Sequence, residues 1–103
     1  MNLELETVMD NRGPMKVHFW GVRGSYPTAG SDTVRYGGNT ACVEIDAGGM
    51  TIILDAGTGI IGLGKRLVQH AREQGGKVAC VLLFSHLHHD HTQGFPFFTP
   101  AFI

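Results

Sequence analysis

The stretch VACVLLFSHLHHDHTQG, residues 78–94, joins an apolar run to a cluster of histidines. The run VACVLLF at 78–84 shows no alternation of apolar and polar residues, which predicts a strand covered on both faces. Four of the six histidines of the chain then follow within SHLHHDHTQG. Because α/β proteins place their sites beyond the carboxyl ends of strands, the cluster occupies a favourable position for a functional site.

The histidine cluster contains the pattern H-x-H-x-D-H, formed by His86, His88, Asp90 and His91. Imidazole nitrogens and carboxylate oxygens are ligands that zinc, iron and manganese accept. In a tight loop this spacing predicts two metals, with the first two histidines on one ion and the Asp-His pair on a second. Adjacent cations activate a bridging water and stabilise both the attacking and the leaving oxygen. The alternative for a histidine-rich tract is a solvated loop that binds metal adventitiously.

Asp55, at the end of the run TIILD, admits two interpretations. Its carboxylate could cap the helix that follows, or it could accept the second ring N–H of a metal-bound histidine, which we favour. His89 lies outside the metal pattern and is interpreted as a neighbour of the ligands. We assign structural or surface roles to His18 and His70, in a predicted strand and a predicted helix.

Outward from this stretch, the chain predicts one helix and three further strands. Apolar residues at helical spacing predict an amphipathic helix over 59–74, ended by Gly75-Gly76. The runs ACVEID and TIILD predict a hairpin, and MKVHFW at 15–20 predicts a first strand. The apolar end FPFFTPAFI predicts either a terminus packed on the helix or, as we favour, a chain that stops in mid-domain.

The loop from Gly21 to Asn39 is a second candidate contributor to a site. It carries four candidate side chains, Arg23, Ser25, Tyr26 and Arg35. An arginine there could contact a phosphate, although turn formation and surface charge explain the same residues slightly better. Gly37, Gly38 and Asn39 are expected to supply positive φ angles before the next strand.

Composition excludes several classes of protein. The chain has 103 residues, enough for one domain, with 8 basic and 9 acidic residues and a net charge of −1, which gives no strong nucleic-acid patch. No apolar segment is long enough to cross a membrane. Acidic residues within 1–14 argue against a signal peptide and predict a flexible extension on a cytoplasmic protein. Cys42 and Cys80 are expected to be buried reduced thiols, and a homo-oligomer is compatible with the composition.

Gly57, Gly59 and Gly62 raise a rival interpretation, because they spell the dinucleotide-binding pattern G-x-G-x-x-G after a strand and before a helix. That pattern requires an acidic residue about twenty positions later, at the end of the next strand. His86 stands there instead. The preceding strand is also predicted to be half of an antiparallel hairpin, outside any parallel β-α-β unit. Both observations disfavour a dinucleotide site.

SHLHHDHTQG and LDAGTG together resemble the metal-binding signature and first aspartate motif of the metallo-β-lactamase superfamily. GVRGSYPTAG and YGGNTACVEI resemble the amino-terminal region of its phosphodiesterase-like branch, near ribonuclease Z and the cyclic-nucleotide phosphodiesterases. The likeness extends from Met15 to Ile103. It implies an α/β (α+β) fold in which residues 15–103 form the first half of an αββα sandwich.

The resemblance also implies a site and a reaction. His86 and His88 would bind one metal, Asp90 and His91 a second, with Asp55 behind them. Zinc is the expected metal, with manganese or iron as alternatives. A hydroxide bridging the metals would attack a small-molecule or nucleotide phosphodiester, with Asp90 as ligand and proton acceptor.

Family members complete the site with two further histidines and a bridging aspartate, expected beyond Ile103. A metal-dependent hydrolase whose 103-residue chain is incomplete and weakly active or inactive is therefore the leading hypothesis. A non-catalytic metal-binding module is the alternative.

Overall fold

The computed structural model describes residues 3–10, 13–24, 26–27, 30 and 37–102, with side chains described from Pro14 to Ala101 within those ranges. It contains five strands and one α-helix: β1 Leu3–Asp10, β2 Gly13–Gly21, β3 Cys42–Ala47, β4 Met50–Leu54, α1 Gly59–Gln74 and β5 Val81–Leu83. Three 3₁₀ turns follow, at His89–His91, Phe95–Phe97 and Thr99–Phe102. The described chain is therefore a mixed α and β structure, as the sequence predicts at that level.

The five strands form one sheet in chain order. Antiparallel pairing joins β1 to β2, β2 to β3 and β3 to β4, whereas β5 runs parallel to β4. The predicted hairpin is confirmed, and its turn places Gly48 at φ 56° and Gly49 at φ 80°. Positive φ at both central positions suits the right-handed twist of the paired strands.

The predicted helix is also confirmed, with the predicted bounds. It ends because Gly75 adopts φ 67°, and the N–H of Gly76 donates to Ala71 O at 2.9 Å. Such a left-handed glycine closes the last turn and satisfies carbonyls that the helix leaves without partners.

Two segments differ from the sequence interpretation. Residues 3–10, assigned above to an extension, form β1 and pair with β2. The predicted strand over 78–84 is confined to Val81–Leu83, and Val81 and Leu83 are 45% and 51% exposed. The prediction that both faces of this strand are covered is therefore wrong. Leu82 packs against the core on the side of α1, whereas Val81 and Leu83 lie on the other side of the sheet and are exposed.

The core lies between α1 and one face of the sheet. Seven residues form its buried cluster: Trp20, Cys42, Ile53, Ala56, Ile60, Leu63 and Phe98. The burial of Phe98 shows that part of the apolar end packs on the helix, where its ring approaches Gly64, whereas Phe97 is 63% exposed. No helix in the described part of the chain has the length and apolar character required to span a membrane.

A buried charge lies at the margin of this core. Glu44 is 2% exposed, accepts a 3.0 Å hydrogen bond from Trp20 Nε1, and pairs with the guanidinium of Arg66. His18 Nδ1 lies 3.3 Å from the same carboxylate, which fits the structural role expected of that histidine. His70, for which a structural or surface role was also expected, is exposed on α1 and is therefore a surface residue. A buried carboxylate persists only when such partners compensate its lost hydration.

The opposite side of the sheet is apolar, and we refer to it as the outer face. Cross-strand register places its eight residues in two rows, Val17–Ile45–Ile52–Val81 and Phe19–Val43–Leu54–Leu83. None of the eight is classed as buried. Among the described elements, α1 packs on the other side, so the outer face retains contact with solvent.

Candidate metal centre

Two parallel strands place the candidate residues at one edge of the sheet. Asp55 follows β4 directly, and Ser85 comes two residues after β5. Because β4 and β5 are adjacent and parallel, their carboxyl ends meet, and the Asp55 N–H donates to Leu83 O at 2.8 Å. The histidine loop therefore begins beside Asp55.

Three of the four predicted ligands form a compact donor group. One ligand atom from each of His86, Asp90 and His91 lies within 4.8 Å of the others. The His86 and His91 ring centroids are 4.0 Å apart, and His91 Nε2 lies 3.4 Å from Asp90 Oδ2. The 3₁₀ turn at His89–His91 brings the last two together by tightening the backbone. The set offers two imidazoles and a carboxylate, which is a donor combination that zinc accepts.

His88, the fourth predicted ligand, lies beside this group without belonging to it. Its ring centroid is 4.5 Å from that of His86, with the rings nearly perpendicular at 86°. The predicted division of the four residues between two metals stays a prediction. His89 is exposed, as expected of a neighbour.

Asp55 contacts the histidine loop with both carboxylate oxygens. Ser85 N donates to Oδ1 at 2.8 Å, and Ser85 Oγ donates to Oδ2 at 2.7 Å. His91 Nδ1 lies 2.9 Å from Oδ2, within ion-pair distance but not aligned for a linear hydrogen bond. At the helix N-cap, the N–H of Thr58 donates to Thr40 Oγ1 at 2.8 Å instead of to Asp55. Of the two interpretations of Asp55, the geometry favours the one in which it orients a histidine.

The surroundings of Asp55 keep it ionised. Burial by itself would raise the pKa of Asp55, but the hydrogen bonds from Ser85 and the close approach of the His91 ring outweigh burial and hold the pKa below its ordinary value of 3.8. Asp55 also adopts φ 67°, a left-handed conformation that aspartate tolerates better than most residues. Strained backbone of this kind concentrates at functional sites.

A second segment supports the loop from behind. The Ala56 N–H donates to His91 O at 2.7 Å, and the Gly94 N–H donates to Ala56 O at 2.9 Å. A Cβ on Gly94 would lie 2.1 Å from Gly57 O, so the two backbones approach as only glycine permits. The loop that carries the histidines is thus fixed to the segment after β4.

Thr40 fixes the same region from the other side. It is 0% exposed, and its Oγ1 accepts hydrogen bonds from Thr58 N at 2.8 Å and Gln93 Nε2 at 2.9 Å. Sequence reasoning missed Thr40 and Ser85, since a single hydroxyl residue carries no periodic signal. The position of Ser85, directly before the histidine pattern, is the one available hint.

The glycine pattern does not present an open phosphate-binding loop. The N–H groups of Gly57 and Gly59 donate to Ala41 O and Thr40 O at 2.8 and 3.2 Å, so the chain itself takes the donors a pyrophosphate would use. One argument against the dinucleotide site was nevertheless wrong. The strand β4 pairs antiparallel with β3 along one edge and parallel with β5 along the other, so β4, α1 and β5 form a β-α-β unit.

The loop before β3 is described in part. Arg23 Nε donates to Tyr26 O at 2.9 Å, and its guanidinium lies 4.8 Å from the Tyr26 ring centroid. These contacts agree with turn formation, while Ser25 and Arg35 lie outside the described residues. Of the three residues expected to supply positive φ, Gly37 adopts φ 85°, whereas the expectation is wrong for Gly38 and Asn39, which are described and do not have a positive φ.

Comparison with known proteins provides no relative. No family model matches the chain, and neither a curated protein nor a solved structure matches it. A functional interpretation therefore depends on the geometry of the site and on the sequence motifs.

Proposed function

We propose that this chain carries part of the metal centre of a metal-dependent hydrolase acting on phosphodiesters, in a domain of the metallo-β-lactamase type. The observation that carries the proposal is the convergence of His86, Asp90 and His91 within 4.8 Å, backed by Asp55. The outer face, which no described element covers, supports the finer fold assignment, since a sandwich requires a second layer there.

The polarity of the donor group supports a cation at its centre. The Asp55 oxygen near His91 Nδ1 favours a proton on that nitrogen, which leaves a lone pair on Nε2. His91 Nε2 lies 3.4 Å from Asp90 Oδ2, so an unprotonated nitrogen and a carboxylate oxygen face each other. A divalent cation between them resolves the repulsion that this arrangement would otherwise cause.

Each residue has a defined part in the proposal. His86 and His88 hold one ion, Asp90 and His91 hold a second, and zinc is the expected metal, with manganese and iron as alternatives. When bound, such ions activate water and stabilise negative charge on a phosphodiester. Asp90 also accepts a proton near the reacting atoms, and Asp55 orients the histidine ring.

The four ligands supply only two protein donors to each ion. Structural and catalytic zinc sites commonly use three or four, so the isolated 103-residue chain is expected to hold metal weakly and to show little activity. The homo-oligomer and the cytoplasmic location expected from sequence remain predictions.

The test is a hydrolysis assay on the full-length gene product with bis(4-nitrophenyl) phosphate, in the presence of zinc or manganese. We expect metal-dependent turnover that is lost in His88→Ala and Asp90→Asn. His70→Ala is the matched control, since His70 is an exposed histidine on α1.

Three outcomes contradict the proposal. Tight metal binding without turnover would make the protein a non-catalytic metal-binding module. Failure to bind zinc, manganese or iron at all would remove the metal centre itself. Calorimetric binding of NAD would instead favour the dinucleotide interpretation.

A further inference from the structure

We propose that Ser85 is a positioning residue that links Asp55 to His86 through hydrogen bonds of its hydroxyl group. This link fixes which ring nitrogen of His86 faces the metal. The inference rests on the proposed metal centre and extends it. It assigns a role to a residue that the sequence motifs do not single out.

The geometry of the Ser85 hydroxyl determines its hydrogen-bonding direction. Oγ lies 2.7 Å from Asp55 Oδ2 and 3.0 Å from His86 Nδ1. An ionised carboxylate only accepts hydrogen bonds, so the single hydroxyl proton is donated to Asp55. Ser85 Oγ then has only lone pairs to offer on the side of His86.

The state of His86 follows from that direction. A short contact with an oxygen that has no proton to give is favourable only if His86 Nδ1 carries the proton. In the neutral ring Nε2 is then unprotonated, and its lone pair is available to a metal ion. Ser85 thus selects the tautomer that ligation through Nε2 requires.

The two histidines of the donor group consequently depend on one carboxylate. Asp55 Oδ2 lies 2.9 Å from His91 Nδ1 directly, and it reaches His86 through Ser85. The second hydrogen bond, from Ser85 N to Asp55 Oδ1 at 2.8 Å, holds the carboxylate in a bidentate contact and prevents it from rotating away.

The first experiment needs no variant. Long-range ¹H–¹⁵N correlation spectra of the metal-free protein, labelled at histidine, report the tautomer of each ring. We expect His86 to carry its proton on Nδ1 near neutral pH. A proton on Nε2 in the wild-type protein would overturn the inference irrespective of any mutant.

The second experiment compares three variants by zinc titration against a chromogenic chelator. Ser85→Ala is expected to bind zinc about 10-fold to 100-fold more weakly, the range typical of residues that orient metal ligands. Ser85→Thr keeps the hydroxyl and is expected to restore most of the affinity and the Nδ1–H tautomer. Thr92→Ala is the matched control, because the Thr92 hydroxyl makes only 3.5 Å contacts with backbone carbonyls of the same loop.

The outcomes separate this inference from the proposed function. If the wild-type protein binds no zinc, the metal centre fails, while the tautomer spectra still test Ser85. If the wild-type protein binds zinc and Ser85→Ala binds it equally well with an unchanged His86 tautomer, Ser85 has no positioning role. A purely structural serine would lower the stability of the variant without changing the tautomer in its folded fraction.

Discussion

At the scale of single residues, Asp55 combines two unusual properties. It is the one described residue other than glycine with a positive φ, and its carboxylate contacts the histidine loop at both Ser85 and His91. The backbone strain and the side-chain role occur at the same position, so a substitution there changes both. Suitable pairs of variants can separate the two effects.

The cost of the left-handed backbone at Asp55 can be measured by comparing Asp55→Gly with Asp55→Ala. Both variants lose the carboxylate, but glycine adopts φ 67° without the steric conflict that a Cβ creates. We expect Asp55→Gly to be more stable than Asp55→Ala by about 1 kcal/mol in urea unfolding. Equal stability would show that the strain at this position is negligible.

Cys42 provides a pH-dependent contribution to stability. Burial, with smaller effects from Glu44 and Asp55, raises the pKa of the Cys42 thiol from 9.0 to about 12. The folded state then binds this proton more tightly than the unfolded state, so stability is retained below pH 9.0 and falls as the pH rises towards 12.

We expect wild type to lose about 1.4 kcal/mol per pH unit in this window relative to Cys42→Ala. Urea unfolding at about pH 8 and about pH 10 measures the difference. Cys80→Ala serves as the comparison, since Cys80 is less buried. Parallel pH profiles for wild type and Cys42→Ala would contradict the expectation.

Residues of the site differ in how readily sequence reveals them. The spacing of His86, His88, Asp90 and His91 is a local pattern, and it was sufficient to nominate the loop. Ser85 acts through a carboxylate thirty positions away, and Glu44 is paired with Arg66 across the core. Such long-range partners leave no trace in the local order of residues.

At the scale of secondary structure, the amino end of α1 is held by a residue from outside the helix. Thr40 accepts from Thr58 N through its side chain and from Gly59 N through its carbonyl. Helix bounds were predictable because apolar spacing and Gly75 are local signals. The short extent of β5 was not, because an apolar run does not reveal what covers it.

Replacing Thr40 by valine tests this external cap. Valine keeps the shape but removes the hydroxyl, which leaves Thr58 N–H and the Gln93 amide without their acceptor in a partly buried setting. We expect a loss of about 1 to 3 kcal/mol in the free energy of unfolding. Thr40→Ser keeps the acceptor and should lose clearly less; a valine variant as stable as the serine variant would show that the hydroxyl is dispensable.

At the scale of the whole molecule, α1 covers one side of the sheet, and no described element covers the other. Contiguous apolar surface of this extent is unusual on a monomer and marks a surface that binds another layer or associates. The alternation of apolar and polar residues in β2 and β3 could have predicted one apolar face, formed by Val17, Phe19, Val43 and Ile45. It could not have indicated that α1 packs on the other side.

The outer face is expected to bind the hydrophobic dye ANS in the 103-residue chain. Replacing Val81 and Leu83 together with lysine should reduce the fluorescence with little loss of stability, because both side chains are about half exposed. The control replaces Val22 and Leu87, which are 48% and 77% exposed outside this face, with lysine. Equal reduction by both pairs would show that the dye binds without preference for the outer face.

The mixed pairing of β4 also has a consequence for the order of folding. The β3–β4 hairpin closes through only two residues, Gly48 and Gly49, whereas β5 reaches β4 only after the chain has passed through α1. Long closures are slower and are completed later. Hydrogen exchange is therefore expected to show weaker protection at Asp55 N–H, which bonds across the β4–β5 junction, than in the centre of β3. Uniform protection would contradict this expectation. If the expectation holds, the loop that carries the proposed metal ligands, which follows β5, acquires its arrangement in the last step of folding.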